Sequence, residues 1–181
     1  MLTDRELLRQ YAERADEAAF AEVVRRHTDL VYSVALRVTC NDDALAEDVT
    51  QSVFIQLAQQ AGRLTQYETP IGWLHTAARR RAIDAVRGEV RRRTREQKAI
   101  TMHIDSAPPD MNWREIGPLL DEAVNQLSEP DRDAVLLRFF KNLSHQEVGA
   151  ELRLGEDAAR KRVDRALEKL REHFARHGVT G

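Results

Sequence analysis

The sequence predicts an all-α protein: two small helical domains joined by a flexible linker, the second containing a helix-turn-helix. Three observations carry this reading. Apolar residues recur at i, i+3, i+4 and i+7 over most of the chain, the period of one helix face. Glycine and proline are few, 8 and 5 in 181 residues, and β-branched residues are sparse outside short runs. The periodicity fails over residues 97–112, where Pro108-Pro109 sit among small polar residues in SAPPDMN. That break separates residues 1–96 from residues 113–181, each long enough for a marginal helical core. An ordered loop inside one domain is the other reading of the same stretch.

The elements follow in order. Residues 16–39 read as a helix with Phe20, Val23, Val24, His27, Leu30, Val31, Val34, Ala35 and Val38 on one face. Asn41-Asp42-Asp43 interrupts it and can cap the next helix, which carries Leu45, Val49, Val53, Phe54 and Leu57 and ends near Gly62. A polar loop spans residues 63–69. Pro70 suits the first turn of a third helix, where its missing N–H is not needed. That helix buries Leu74 and then Ala77, Ala78, Ala82 and Ala85, small residues that allow close packing, and runs into a stretch rich in arginine.

Beyond the linker, residues 113–127 form a helix with Ile116, Leu120, Ala123, Val124 and Leu127 on one side. Ser128 with Pro130 starts another, its core face assigned to Val135, Leu136, Phe139 and Phe140. Ser144 followed by Glu147 is a capping box opening a short helix to Leu152, and a long helix covers residues 156–174. Short helix, tight turn and long helix make the helix-turn-helix layout. Val148, Leu152 and Leu154 can meet Ala159, Val163 and Leu167, with Gly149 small where the helices approach. The outer face of the long helix presents Arg160, Lys161, Asp164 and Arg165, side chains able to reach phosphates and base edges. A merely solvated charged face is the competing reading.

The chain is close to neutral overall, 28 Lys+Arg against 30 Asp+Glu, yet ARRRAIDAVRGEVRRRTR holds eight arginines against Asp84 and Glu89. Such a row repels itself unless a polyanion neutralises it, and phosphate backbone is the usual one. Other classes find less support. No apolar run approaches the ~20 residues of a membrane span, and the first residues lack the basic and apolar regions of a secretory leader, so a cytoplasmic protein without membrane insertion is expected. Cys40 is the single cysteine, the six histidines show no metal-ligand spacing, and no glycine-rich phosphate loop is present, so no enzyme, metal or cofactor is expected. His75 and His145 read as polar helix residues. A stand-alone helix-turn-helix regulator, or a helical adaptor that never touches DNA, stays open at this level.

The pieces AFAEVVRRHTDLVYSVALRV, AEDVTQSVF and WLHTAARRRAIDAVR, followed by LSEPDRDAVLLRFFKNLSHQEVGAELRLGEDAARKRVDRALEKLRE, resemble in order and spacing the extracytoplasmic-function sigma factors. These are the two-domain bacterial transcription initiation factors. The resemblance covers residues 16–174 and implies that residues 1–96 dock on polymerase and read the minus-ten promoter element, while residues 113–181 read the minus-thirty-five element. It implies that Asp48, Gln51 and Phe54 meet the clamp helices of the polymerase β′ subunit, with the β flap as a further polymerase contact. It implies that Gln66, Tyr67, Arg79, Arg80, Arg87 and Arg91 line the path of the minus-ten strand, where a base is flipped out, Tyr67 being either a stacking partner or an ordinary loop tyrosine. Arg160, Lys161, Asp164 and Arg165 match the minus-thirty-five readers. The implied partners are core RNA polymerase, promoter DNA and, commonly in the family, an anti-sigma factor.

The sequence departs from the family pattern at four places. Arg80 stands where Asn is frequent, and Ala58 where Trp is common. Arg153 replaces a glycine in the helix-turn-helix, which implies a locally different turn. Gly155 replaces a capping Ser or Thr.

Overall fold

The computed structural model describes residues 2–97 and 111–178, and among them every regular element is helical. The first half contains α1 (Asp4–Arg14), α2 (Glu17–Val38), α3 (Asp43–Leu64) and α4 (Ile71–Gln97). The second contains α5 (Met111–Gln126), α6 (Glu129–Val135), a π-helical turn (Leu136–Phe140), α7 (His145–Glu151) and α8 (Glu156–Arg176). The expected linker lies mostly outside the described residues; residues 97, 111 and 112, assigned to it above, are helical.

The expected helices form, but not every expected cap does. Asp16 and Asp42 accept hydrogen bonds from the first-turn amides of α2 and α3. Ser144 and Glu147 close a reciprocal capping box on α7. Ser128 holds the N-cap position of α6 but makes no side-chain cap bond, and Gly155 caps α8 with backbone alone. Helix α1 was not anticipated, although Thr3 and Glu6 carry the same capping-box signature.

Val23, Val31 and Val34 of α2, Val53 and Leu57 of α3, and Leu74, Ala78 and Ala82 of α4 are fully buried in one core with Leu8 of α1. The alanine face of α4 lets the helices approach closely, as its composition suggests. In the second half Leu136, Val148, Ala159 and Ala166 are fully buried. A Cβ on Gly149 would lie 2.7 Å from the Leu154 carbonyl oxygen, so only glycine fits that crossing.

Two expectations are corrected here. Phe139 and Phe140 are 54% and 38% exposed, and Leu137 is buried instead. The π-turn takes more residues per turn than an α-helix, so it rotates the following side chains off the core face. The helix-turn-helix turn does not abandon the backbone that glycine favours: Arg153 itself adopts φ 53°.

The halves pack on one another. Arg37 of α2 makes two 2.8 Å hydrogen bonds to Asp121 of α5, and His75 of α4 meets the same carboxylate at 3.1 Å. His75 is a polar helix residue that is wholly buried. Arg132 of α6 donates to the Thr76 hydroxyl at 2.5 Å, and Lys141 donates to the Arg26 carbonyl oxygen.

Candidate nucleic-acid interface

The loop between α3 and α4 is built from local bonds and held from outside. Tyr67 N donates to the Leu64 carbonyl oxygen at 3.1 Å, and the Thr69 hydroxyl accepts from Ile71 N at 3.3 Å where α4 begins. Arg5 of α1 donates to the Thr65 carbonyl oxygen at 2.8 Å and to Glu68 at 2.9 Å, so the unanticipated first helix braces this loop. Gln66 is exposed; Tyr67 is half-buried and packs against the core.

From this loop α4 turns its alanines inward and its arginines outward. Arg80, Arg87 and Arg91 are exposed at i, i+7 and i+11, one ridge along the helix. Arg79 is partly covered, 3.7 Å from Glu122 of α5. The helix runs unbroken through the arginine row, helped by the Glu89–Arg92 pair at 2.9 Å and by Arg81 donating to Gln56 at 3.2 Å.

On α3, Asp48 and Gln51 are exposed on a common face. Phe54 is 8% exposed and points into the core, while Ile55, which the sequence reading passed over, stands 53% exposed at i+7 from Asp48.

On α8, Arg160, Lys161, Asp164 and Arg165 are all exposed. Arg160 pairs with Asp157. Arg165 is held 2.6 Å from Asp131 of α6, with Lys169 at 2.7 Å on the other oxygen. Burial opposes ionisation of Asp131, but the two cations outweigh it and hold its carboxyl down at about 2. Arg165 is thereby positioned by a side chain 34 residues away, which helical spacing does not reveal.

The loop before α4 and the helix-turn-helix turn face each other. Arg153 in the helix-turn-helix turn pairs with Glu68 of the loop at 2.9 Å. A cleft beside them is walled by Tyr67, Thr69, Gly72, Trp73 and Thr76 on one side and by Glu129, Arg132 and Asp133 of α6 on the other. A Cβ on Gly72 would overlap Asp133 Oδ1. Burial, then the nearby Glu129 carboxylate, pushes Asp133 up to about 7, against the pull of Arg132, the Gly72 N–H and Arg162.

A long basic helix preceded by a braced loop, together with a helix-turn-helix on a separate half, defines a helical protein with two nucleic-acid-facing elements. The comparisons narrow that class. The family model for Sigma-70 region 2 matches residues 23–92, and that for Sigma-70, region 4 matches residues 119–170. The RNA polymerase sigma factor CarQ of Myxococcus xanthus is 34% identical over 154 residues, 85% of this chain and 88% of CarQ. The ECF RNA polymerase sigma factor SigE of Mycolicibacterium smegmatis is 31% identical over 169 residues, 90% of this chain but 65% of SigE. A solved structure of CnrH in complex with the cytosolic domain of CnrY aligns over 93% of this chain and 95% of that one, at 22% identity and a TM-score of 0.43. The chain belongs to the ECF RNA polymerase sigma factors, the proteins that direct transcription initiation. Neither the stand-alone regulator nor the adaptor is favoured. No helix among the described residues is long and apolar enough to cross a membrane.

Proposed function

We propose that this chain binds core RNA polymerase and directs it to promoters bearing two spaced elements. Residues 1–96 dock on polymerase and read the minus-ten element, residues 113–181 read the minus-thirty-five element, and residues 97–112 join them. The observation that carries this is the pairing of an outward arginine ridge, Arg80, Arg87 and Arg91, with an outward basic face on the recognition helix of a helix-turn-helix. Phosphate contacts from both, each too weak alone, gain from being linked.

In this reading Asp48, Gln51 and Ile55 form the polymerase-facing surface and Phe54 supports it from beneath. Gln66, Tyr67 and Arg79 meet the minus-ten strand with the ridge. Arg160, Lys161 and Asp164 read the minus-thirty-five duplex beside Arg165, which Asp131 orients. Family membership adds the β flap and an anti-sigma factor as partners. A near-neutral chain suits a protein that binds DNA only within holoenzyme, because duplex DNA attracts net positive charge.

In vitro transcription with core polymerase from a matched host, on a promoter library with transcript sequencing, tests the proposal. New start sites sharing two spaced upstream motifs are expected. Binding to core without any new start sites would overturn it, as would tight, salt-steep binding of the free chain to random duplex.

A further inference from the structure

The loop before α4 is gripped at two points by one side chain. Arg5 Nε donates to the Thr65 carbonyl oxygen at 2.8 Å, and its Nη1 donates to Glu68 Oε1 at 2.9 Å. These two contacts bracket Gln66 and Tyr67, the loop residues assigned to the minus-ten strand. The loop's own bonds are short in reach: the Thr65 hydroxyl to the Gly62 carbonyl oxygen, Tyr67 N to Leu64, and Ile71 N to the Thr69 hydroxyl. Arg5 reaches the loop across 60 positions of sequence.

The helix that carries Arg5 is itself fixed. Asp4 beside it is buried, with one carboxylate oxygen 2.6 Å from His27 Nε2 and the other accepting from Arg26 Nη1 at 2.9 Å. Leu7 and Leu8 follow it into the core. The grip on the loop therefore has a rigid base on α2.

We propose that Arg5 is a positioning residue for minus-ten recognition, a staple on both sides of Gln66 and Tyr67 that sets where those side chains meet a base; this rests on the reading that assigns the minus-ten strand to this loop. A planar guanidinium carries its donors in a fixed fork and suits two acceptors at once, which a lysine ammonium does not. One acceptor is a main-chain carbonyl, so the staple fixes the path of the backbone and not one side chain alone. A loop ordered in advance loses less freedom when it binds, and readers held in place discriminate between base edges. Glu68 Oε2 also meets Arg153 of the helix-turn-helix turn. The staple does not depend on that pair, because Arg5, Thr65 and Glu68 all belong to the first half.

The test uses holoenzyme assembled from the full chain and core polymerase of a matched host, on a library randomised over the minus-ten element. The readout is the ratio of transcript from the preferred base to that from the next at each position. Arg5→Ala is expected to lower that ratio about tenfold at the positions sensitive to Gln66→Ala or Tyr67→Ala. The minus-thirty-five preference, binding to core and helical circular dichroism should stay unchanged. Arg5→Lys, which keeps the charge without the fork, should lose discrimination as well. Arg9→Ala removes a charge from an exposed site on the same helix and should change nothing. Full discrimination in Arg5→Ala or in Arg5→Lys would overturn the proposal. So would an equal loss of output on every promoter with a shallower salt dependence, the mark of a direct phosphate contact. Amide protection of residues 65–69 in the full chain decides the matter if Arg5→Ala transcribes poorly: protection equal to wild type would overturn the staple. If protection falls while Gln66→Ala and Tyr67→Ala leave the minus-ten preference untouched, the assignment of the strand to this loop fails, and the proposal falls with it although Arg5 does hold the loop.

Discussion

Asp121 and Asp133 are both buried carboxylates on the second half, both facing the first, and they behave oppositely. Asp121 is met by two nitrogens of Arg37 and by His75; burial opposes its ionisation, but those hydrogen bonds outweigh it and its carboxyl is held below the ordinary range. Asp133 has no such fork; burial and then the neighbouring Glu129 push it up to about 7, against the weaker pull of Arg132 and the Gly72 N–H. The difference teaches that burial alone does not set the role of an acid. A carboxylate with an arginine fork and an imidazole is a permanent clasp, whereas one without a bidentate partner is a clasp only while protonated.

The comparison breaks most sharply at the permanent clasp. Asp121→Ala strands the Arg37 guanidinium in a largely covered site, and loss of one member of such a buried pair costs about 3–5 kcal/mol. Urea unfolding of the variant should show that loss. A change under about 1 kcal/mol would place Arg37 in solvent instead.

Gly72→Ala comes next. A methyl group driven into Asp133 is an overpacking change worth about 1–3 kcal/mol. It should fall on the seam between halves and not on the core of either, so the urea slope should drop as the transition loses cooperativity between them.

Acid titration separates the two carboxylates without mutation. Asp121, with its lowered pKa, contributes stability above the ordinary carboxylate range near 3.8 and loses it as pH falls below. Asp133, with its raised pKa, favours the packed seam increasingly as pH falls from about 7. The seam is accordingly tightest between about pH 4 and 6. Protection factors of the amides at residues 65–69, after division by the intrinsic exchange rate at each pH, should be highest there, and a monotonic profile of those factors would contradict the opposition.

The smallest effect is expected at Arg153→Gly. Relief of the left-handed residue gains about 1 kcal/mol, and the exposed pair with Glu68 gives back less than that. Urea unfolding should show hardly any change in stability, while the 65–69 loop is held less firmly.

Most helices were legible in the sequence because their signals are local. Capping residues at Asp16, Asp42 and Ser144 and the apolar faces of α2 and α8 lie within a few turns of what they organise. Helix α1 was legible too, in Thr3 and Glu6, but was passed over. What spacing cannot carry is partnership at long range. His75 reads as one more polar helix residue until Asp121 is brought to it, 46 positions on. Arg165 reads as a DNA contact without the Asp131 that aims it. The π-turn is invisible for another reason: a change of period over five residues looks like the ordinary one until Phe139 and Phe140 face solvent.

The most direct measurement is in vitro transcription by core RNA polymerase from a matched host, with and without the chain, on a promoter library. New start sites that share two spaced upstream motifs are the predicted result. Binding to core polymerase with no new start sites would contradict it.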